Sequence, residues 1–208
     1  MIIKAAELAK ELTTPKLPGD PLIITPLPDL KDLAESGAAS LDIRLGCWFL
    51  SCRTIHAGLL DVYEERENAP NEAKIAKSHY VPFGESFVLH PGAFVLGVSL
   101  EWIRLPGNRA AYVIGRSSWG RHGLIIATAT GVHPGFTGCL TLEMTNVGEV
   151  PITVKPGTQI CQLFVHQAGS ASDESRDFVN PSEFIGRRKP ILGTIELDDW
   201  ARKLSRRI

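Results

Sequence analysis

From Ser40 onward the chain runs as short apolar or alternating segments separated by Gly, Pro and Asn, and no other feature limits the fold as tightly. LDIRLGCWFL, SFVLHPGAFVLGVSLEWIRLP, AAYVIG, LIIATATGV, GCLTLEMTNVG, VPITVKPG and QICQLFVHQ each have the length of a strand or a strand pair. Evenly spaced strands with turn signals between them predict an all-β sandwich, barrel or jelly roll. Ahead of them, residues 1 to 15 offer Ile2, Ile3, Leu8 and Leu12 for one apolar helix face. Prolines at 15, 18, 21, 26 and 28 then break regular structure, and Leu30 to Glu35 reads as a second short helix. The charged stretch Glu64 to Lys77 reads as a surface excursion. After His166 a polar run leads to a tail containing FIGRRKP and ELDDWARKLSRRI. The expectation is one domain: a lead-in over 1–39, a β-domain over 40–168 and a tail over 169–208.

Charge and composition narrow the partners. A formal charge of -1 gives no general attraction to nucleic acid or anionic membrane, so anion binding has to come from a local cluster. No stretch approaches the roughly 20 apolar residues that span a bilayer, and the N-terminal segment lacks the long apolar run of a signal peptide. A cytoplasmic location is the expectation. The four cysteines form no C-x-x-C pair, and Cys139 and Cys161 lie in strand patterns where cysteine serves as a small buried hydrophobe.

Three segments carry candidate chemistry. GRSSWGRHGL, residues 115 to 124, sets two arginines and two hydroxyls around a glycine-flanked turn. A triphosphate is held by such a set: cationic forks, hydroxyl donors, and backbone N–H groups left open by small residues. An ordinary exposed turn has the same composition, and the segment alone leaves both readings standing. In GCLTLEMTN, Thr141, Glu143 and Thr145 share one strand face while Leu140, Leu142 and Met144 share the other. Glu143 either faces solvent or is held ionised by an arginine, with Arg121 the candidate, ready to take a proton from water. In PGTQICQLFV a Pro-Gly turn launches a strand in which Gln159 and Cys161 are expected to face away from Gln162. The Gln162 amide reads a base edge or sugar, or satisfies backbone groups.

Taken in order, SLDIRLG (Ser40 to Gly46), LHPGAFVLGVSLEWIRLP (Leu89 to Pro106), GRSSWGRHGL, HPGFTGCLTLEMTN (His133 to Asn146) and PGTQICQLF resemble the dCTP deaminase/dUTPase family through most of the chain. The glutamate of the TLE form points to the deaminase branch. The resemblance implies a mainly β, distorted jelly-roll, dUTPase-like barrel with a short N-terminal helix, assembled as a homotrimer with sites at subunit interfaces. It implies that Glu143 activates water for attack on C4 of cytosine, that Arg121 supports Glu143, and that Ser117 and the carbonyl of Ala129 orient the water and the exocyclic nitrogen. Arg116, Ser117 and Ser118 would bind the triphosphate in a turn completed by Trp119, Gly120 and Arg121. His133, Thr141, Leu142, Gln162 and Arg187 complete the implied substrate contacts. Trp119 is expected to pack at the trimer interface.

The implied reaction converts dCTP and water to dUTP and ammonia, with Mg2+ carried on the triphosphate and dTTP as a feedback inhibitor. The H-x-E and P-C-x-x-C signature of zinc deaminases is absent, and the six histidines are scattered singly, so no zinc is expected. Two positions depart from the family pattern. His133 stands where an aspartate is common, which argues against dUTP hydrolysis and leaves two roles open, sugar contact or space filling. The nearest match to the family's nucleotide-covering lid is SEFIGRRKP, Ser182 to Pro190, with Glu183 where lysine is usual. Arg187, Arg188 and Lys189 either clamp phosphates there or form an ordinary basic tail. Alternatives carried from the sequence are a bifunctional enzyme that also cleaves dUTP, a deaminase of another cytidine nucleotide, and a non-catalytic nucleotide-binding trimer.

Overall fold

The structure, a computed structural model, describes residues 1–16, 19–52, 75–127, 131–169 and 184–193. The chain enters by pairing with the sheet: Ile2 bridges His166, and the Ile3 N–H donates to the Val165 carbonyl at 2.9 Å. Helix α1, Ala5–Thr13, follows, composed of the Ala, Leu, Glu and Lys residues that favour helix. Ala5, Leu8 and Ala9 face the core. Ile2 and Ile3 lie ahead of the helix rather than on its face, because β-pairing claims their backbone first. Helix α2, Leu30–Glu35, is capped by Asp29, whose carboxylate accepts from the N–H groups of Lys31 and Asp32 at 2.9 and 3.0 Å.

The strands are β1 (Ile23–Thr25), β2 (Leu41–Cys52), β3 (Ala76–Tyr80), β4 (Phe87–Leu89), β5 (Phe94–Arg104), β6 (Arg109–Gly115), β7 (Leu124–Ile126), β8 (Gly131–Val132), β9 (Thr137–Asn146), β10 (Ile152–Val154) and β11 (Gln159–Gln167). Between β6 and β7 lies the single helical turn α3, Ser117–Gly120. Among the described residues the main sheet has nine strands, seven along the path β7-β9-β5-β2-β11-β6-β8 with β1 added to β5 and β3 to β2; β4 and β10 form a separate pair. Every pairing is antiparallel. Lys77, expected in a surface excursion, lies in β3 opposite Ser51, while residues 64–74 of that stretch fall outside the described residues.

The sheet curls. Its two halves approach where Gly115, ending β6, packs against Ile126 of β7. Register shifts occur in β2 between Leu45 and Phe49, in β5 between Val98 and Trp102, and in β11 between Gln159 and Cys161. Bulges bend a strand and increase its twist, so three on neighbouring strands give the sheet its curvature. Gly46 lies at this bend: a Cβ there would stand 2.9 Å from the Ser99 carbonyl oxygen, and only glycine lets β2 and β5 approach so closely. The concave side is filled by Ile43, Leu45, Phe49, Ile103, Leu142 and Met144, all fully buried.

Helix α1 is tied to the sheet by a buried ion pair. Arg109 Nη2 lies 3.2 Å from both oxygens of Glu11, with 3% and 4% of the two side chains exposed. Removing one partner strands the other charge in the interior. Glu11→Ala is expected to cost about 3 kcal/mol, read as a lower urea midpoint. An unchanged midpoint would show that α1 is not anchored this way.

Candidate active site

The GRSSWGRHGL segment forms a compact turn on the rim of the curl. Arg116 is extended, Ser117–Gly120 make one helical turn, and the Arg121 N–H donates to the Ser117 carbonyl at 3.0 Å. Gly123, at φ +90, reverses the chain into β7; a Cβ there would also press on the Gly148 backbone at 2.9 Å. Trp119 is half-buried against the core, and its indole N–H donates to the Gln159 carbonyl at 3.0 Å. That contact lies within the chain and pins the turn to the start of β11. Ser117, Ser118, Gly120 and Arg121 are exposed.

Across β2, β11 and β6 the structure brings Arg116 and Gln162 together through a residue the sequence reading did not single out, Asp42. Its Oδ2 lies 3.1 Å from Arg116 Nη1, and its Oδ1 accepts from Gln162 Nε2 at 3.3 Å. Arg116 Nη1 also donates to Gln159 Oε1. Gln159, expected on the opposite face from Gln162, joins it on the same side because the bulge between Gln159 and Cys161 breaks the two-residue alternation. The available signal was the charge of Asp42 between the apolar Leu41 and Ile43, which marks an outward face but not its partner.

Glu143 lies on β9 opposite Leu96, half-exposed, on the face away from the core. Thr141 shares this face. Leu142, expected among the substrate contacts, directs its side chain wholly into the core, since alternation places it opposite Glu143. The Ala127 N–H donates to the Glu143 carbonyl at 2.8 Å, so Glu143 lies level with the end of β7. Arg121 precedes the other end, where the Val147 N–H donates to the Gly123 carbonyl at 2.8 Å. The four steps from residue 143 to residue 147 span about 13 Å at ~3.3 Å per residue. Within one chain Arg121 and Glu143 are therefore held apart, and Arg121 has no ion-pair partner among the described residues. Ala129 lies outside the described residues. His133 is exposed in the turn between β8 and β9, its carbonyl accepting from the Phe136 N–H at 3.2 Å.

The segment 184–193 docks on the outer face of the same chain. The Gly186 N–H donates to the Thr137 carbonyl at 2.7 Å, and the Cys139 N–H donates to the Arg187 carbonyl at 2.9 Å. Arg188 Cζ stands 4.8 Å from the centre of the Trp102 ring, and Lys189 Nζ stands 3.8 Å from that of Trp48. Both cations thus meet indole faces, an attraction worth about 0.5–1 kcal/mol at exposed sites. Leu192 continues onto Leu50 and Leu96, the latter directly across from Glu143. Arg187 is accordingly fixed beside Cys139, on the strand that carries Glu143. No group of three or more His, Cys, Asp or Glu side chains suited to a metal ion occurs among the described residues.

A family model described as dCTP deaminase-like matches residues 4–168. The chain belongs to that family. Among relatives, the dCTP deaminase of Natronomonas pharaonis is 35% identical over 199 residues, covering 95% of this chain and 96% of the relative. The dUMP-forming dCTP deaminase of Methanobrevibacter smithii is 33% identical over 181 residues, covering 85% and 89%. Among solved structures, the 2'-deoxycytidine 5'-triphosphate deaminase from Agrobacterium tumefaciens superposes with a TM-score of 0.57 at 21% identity, covering 84% of this chain. The present chain spans half, 50%, of that structure's length, and the likeness establishes the dCTP deaminase-like fold.

Behind the site, burial above all, followed by the negative charges of Glu101 and Asp42, pushes the Cys161 thiol up from 9.0 to about 12. The native thiol stays neutral while an unfolded chain ionises, so this group's contribution to stability is full below pH 9.0 and declines as pH rises toward 12. Titration with a disulfide reagent at pH 8 is expected to modify the exposed Cys52 and leave Cys161 untouched until the protein unfolds. Early modification of Cys161 would contradict its burial.

Proposed function

We propose that this protein deaminates dCTP hydrolytically and without zinc, giving dUTP and ammonia. The observation that carries the reading is the outward position of Glu143 at the end of β7, the strand launched by the GRSSWGR turn. Its membership of the dCTP deaminase-like family and its identity to enzymes named as dCTP deaminases support the same substrate. In this reading Glu143 takes a proton from water as the oxygen attacks C4 of cytosine. The proton passes to N3, and the second water proton follows to the exocyclic nitrogen. The C4–N bond then breaks, ammonia leaves and a carbonyl remains. Positioned proton transfer of this kind typically contributes about 10²–10⁴ in rate. Ser117 and the Ala129 carbonyl orient the water and the amine, while Arg116, Ser117 and Ser118 hold the phosphates and Gln162 contacts the nucleotide. Mg2+ arrives on the triphosphate and neutralises part of its charge. The tail around Arg187 covers the nucleotide, and dTTP competes for the site as a feedback inhibitor. The cytoplasm is the site of action.

The separation of Arg121 from Glu143 along β7 supports a homotrimer in which neighbouring chains contribute one each. The Methanobrevibacter smithii relative favours a second reading, in which dUTP is cleaved onward to dUMP and pyrophosphate. His133, lacking the compact anionic acceptor of an aspartate, weighs against it.

With Mg2+ and dCTP, ammonia is expected without pyrophosphate; pyrophosphate would establish the dUMP-forming reading, and binding without either product would defeat the enzyme reading. Glu143→Gln should abolish turnover while retaining nucleotide binding. Mixing the inactive Glu143→Gln and Arg121→Ala chains under reassembling conditions should restore about a quarter of the sites by random association. No recovery in verified mixed assemblies would refute a shared site.

A further inference from the structure

We infer that Asp42 and Gln159 are positioning residues that aim Arg116 and Gln162 at the phosphate chain. The inference rests on the proposed binding of a triphosphate at the GRSSWGR turn. Asp42 stands directly across the β2–β11 ladder from Gln162, which pairs in turn with Ile114 of β6. Buried Leu41 and Ile43 on either side turn Asp42 outward, where it is about one-third exposed.

Both carboxylate oxygens are engaged, Oδ1 by Gln162 and Oδ2 by Arg116 at 3.1 Å. Arg116 Nη1 donates to Gln159 Oε1 and is ion-paired with Asp42, so both partners hold the same nitrogen. The Nε and Nη2 groups have no partner among the described residues. They form the parallel edge of the guanidinium that grips two oxygens of one phosphate. An ionised carboxylate accepts but does not donate, so the Gln162 atom facing Asp42 is the amide nitrogen, and the sense of that amide is fixed. The second amide N–H is left for the ligand.

Two effects of Asp42 on an incoming phosphate have opposite signs. Its negative charge opposes the anion, and if that effect dominated, removing it would tighten binding. Its hold on Arg116 removes the rotamer freedom that a long, partly exposed side chain must otherwise surrender on binding. The double grip on a single nitrogen favours the second effect, and the loss of Asp42 therefore weakens binding.

The test measures binding of inorganic tripolyphosphate with Mg2+ to the full chain by calorimetry, beside dCTP kinetics. Asp42→Ala is expected to raise the tripolyphosphate Kd about 10-fold, the low end of what supporting contacts command at metal sites, and Gln159→Ala about 3-fold, less than that. KM for dCTP should rise in parallel with kcat within about twofold. In an Arg116→Ala background the Asp42→Ala effect should largely vanish, which a merely structural role would not produce. Should Asp42→Ala fail to fold, Gln159→Ala decides, since its side chain is exposed and its backbone still receives the Trp119 indole. Tighter or unchanged binding, a fall in kcat at constant KM, full persistence of the effect without Arg116, or no tripolyphosphate binding by the unaltered protein would each overturn the inference. Tripolyphosphate binding that follows this pattern without ammonia release from dCTP would sink the deaminase reading alone.

Discussion

The carboxylate of Glu101 holds the bend on which the rest of the sheet depends. Only 2% exposed, it lies in the irregular stretch of β5 and accepts from the Arg44 backbone N–H at 2.9 Å and from Arg44 Nε at 2.6 Å. A buried carboxylate without partners costs several kcal/mol, so the bulge persists only because β2 supplies both donors. Ser99 extends the fixation: its hydroxyl donates to the Glu101 carbonyl and accepts from the Leu140 N–H, both at 2.8 Å. One short stretch of β5 thereby sets the geometry of β2 on one side and β9 on the other.

Curvature has chemical consequences on both flanks. On the β2 side, the bulge at the start of β11 brings Gln159 round to join Gln162, Asp42 and Arg116 on one surface. On the β9 side, regular alternation is kept, and Glu143 emerges from a strand whose neighbours Leu142 and Met144 are fully buried. A carboxylate mounted between two anchored core residues has its backbone fixed, which suits a group that must meet a reacting atom within a fraction of an ångström. Closure of the curl, with Gly115 against Ile126, joins the two flanks at the GRSSWGR turn.

The elements legible in the sequence were those set by local physics. Alternation in GCLTLEMTN gave the facing of β9, Leu30 to Glu35 after the proline breaks read as the helix α2, and the glycines of the GRSSWGRHGL segment marked its turn. What was illegible depends on distant partners. The alternation read through PGTQICQLFV failed at a bulge in the pairing of β11 with the distant strand β2. The pairing of Asp42 with Gln162 spans 120 positions, and no local pattern announces it. The tail showed its charge but not its docking: Arg188 and Lys189 read as basic, and no local pattern names Trp102 and Trp48 as the residues that receive them. Periodicity identifies a face; only topology says what meets it.

The two halves of the proposed chemistry differ in how much one chain supplies. The phosphate-facing set, Arg116, Gln162, Asp42 and Gln159, is assembled within a single chain by strands that are direct neighbours. The proton-transfer set is divided, because the β7–β9 register keeps Arg121 and Glu143 at different levels and a strand cannot be shortened to join them. A single chain thus has what anion binding requires and lacks what the reaction requires. In the proposed homotrimer, association does more than add stability: it couples the arrival of a charged nucleotide on one chain to a carboxylate held rigidly on another.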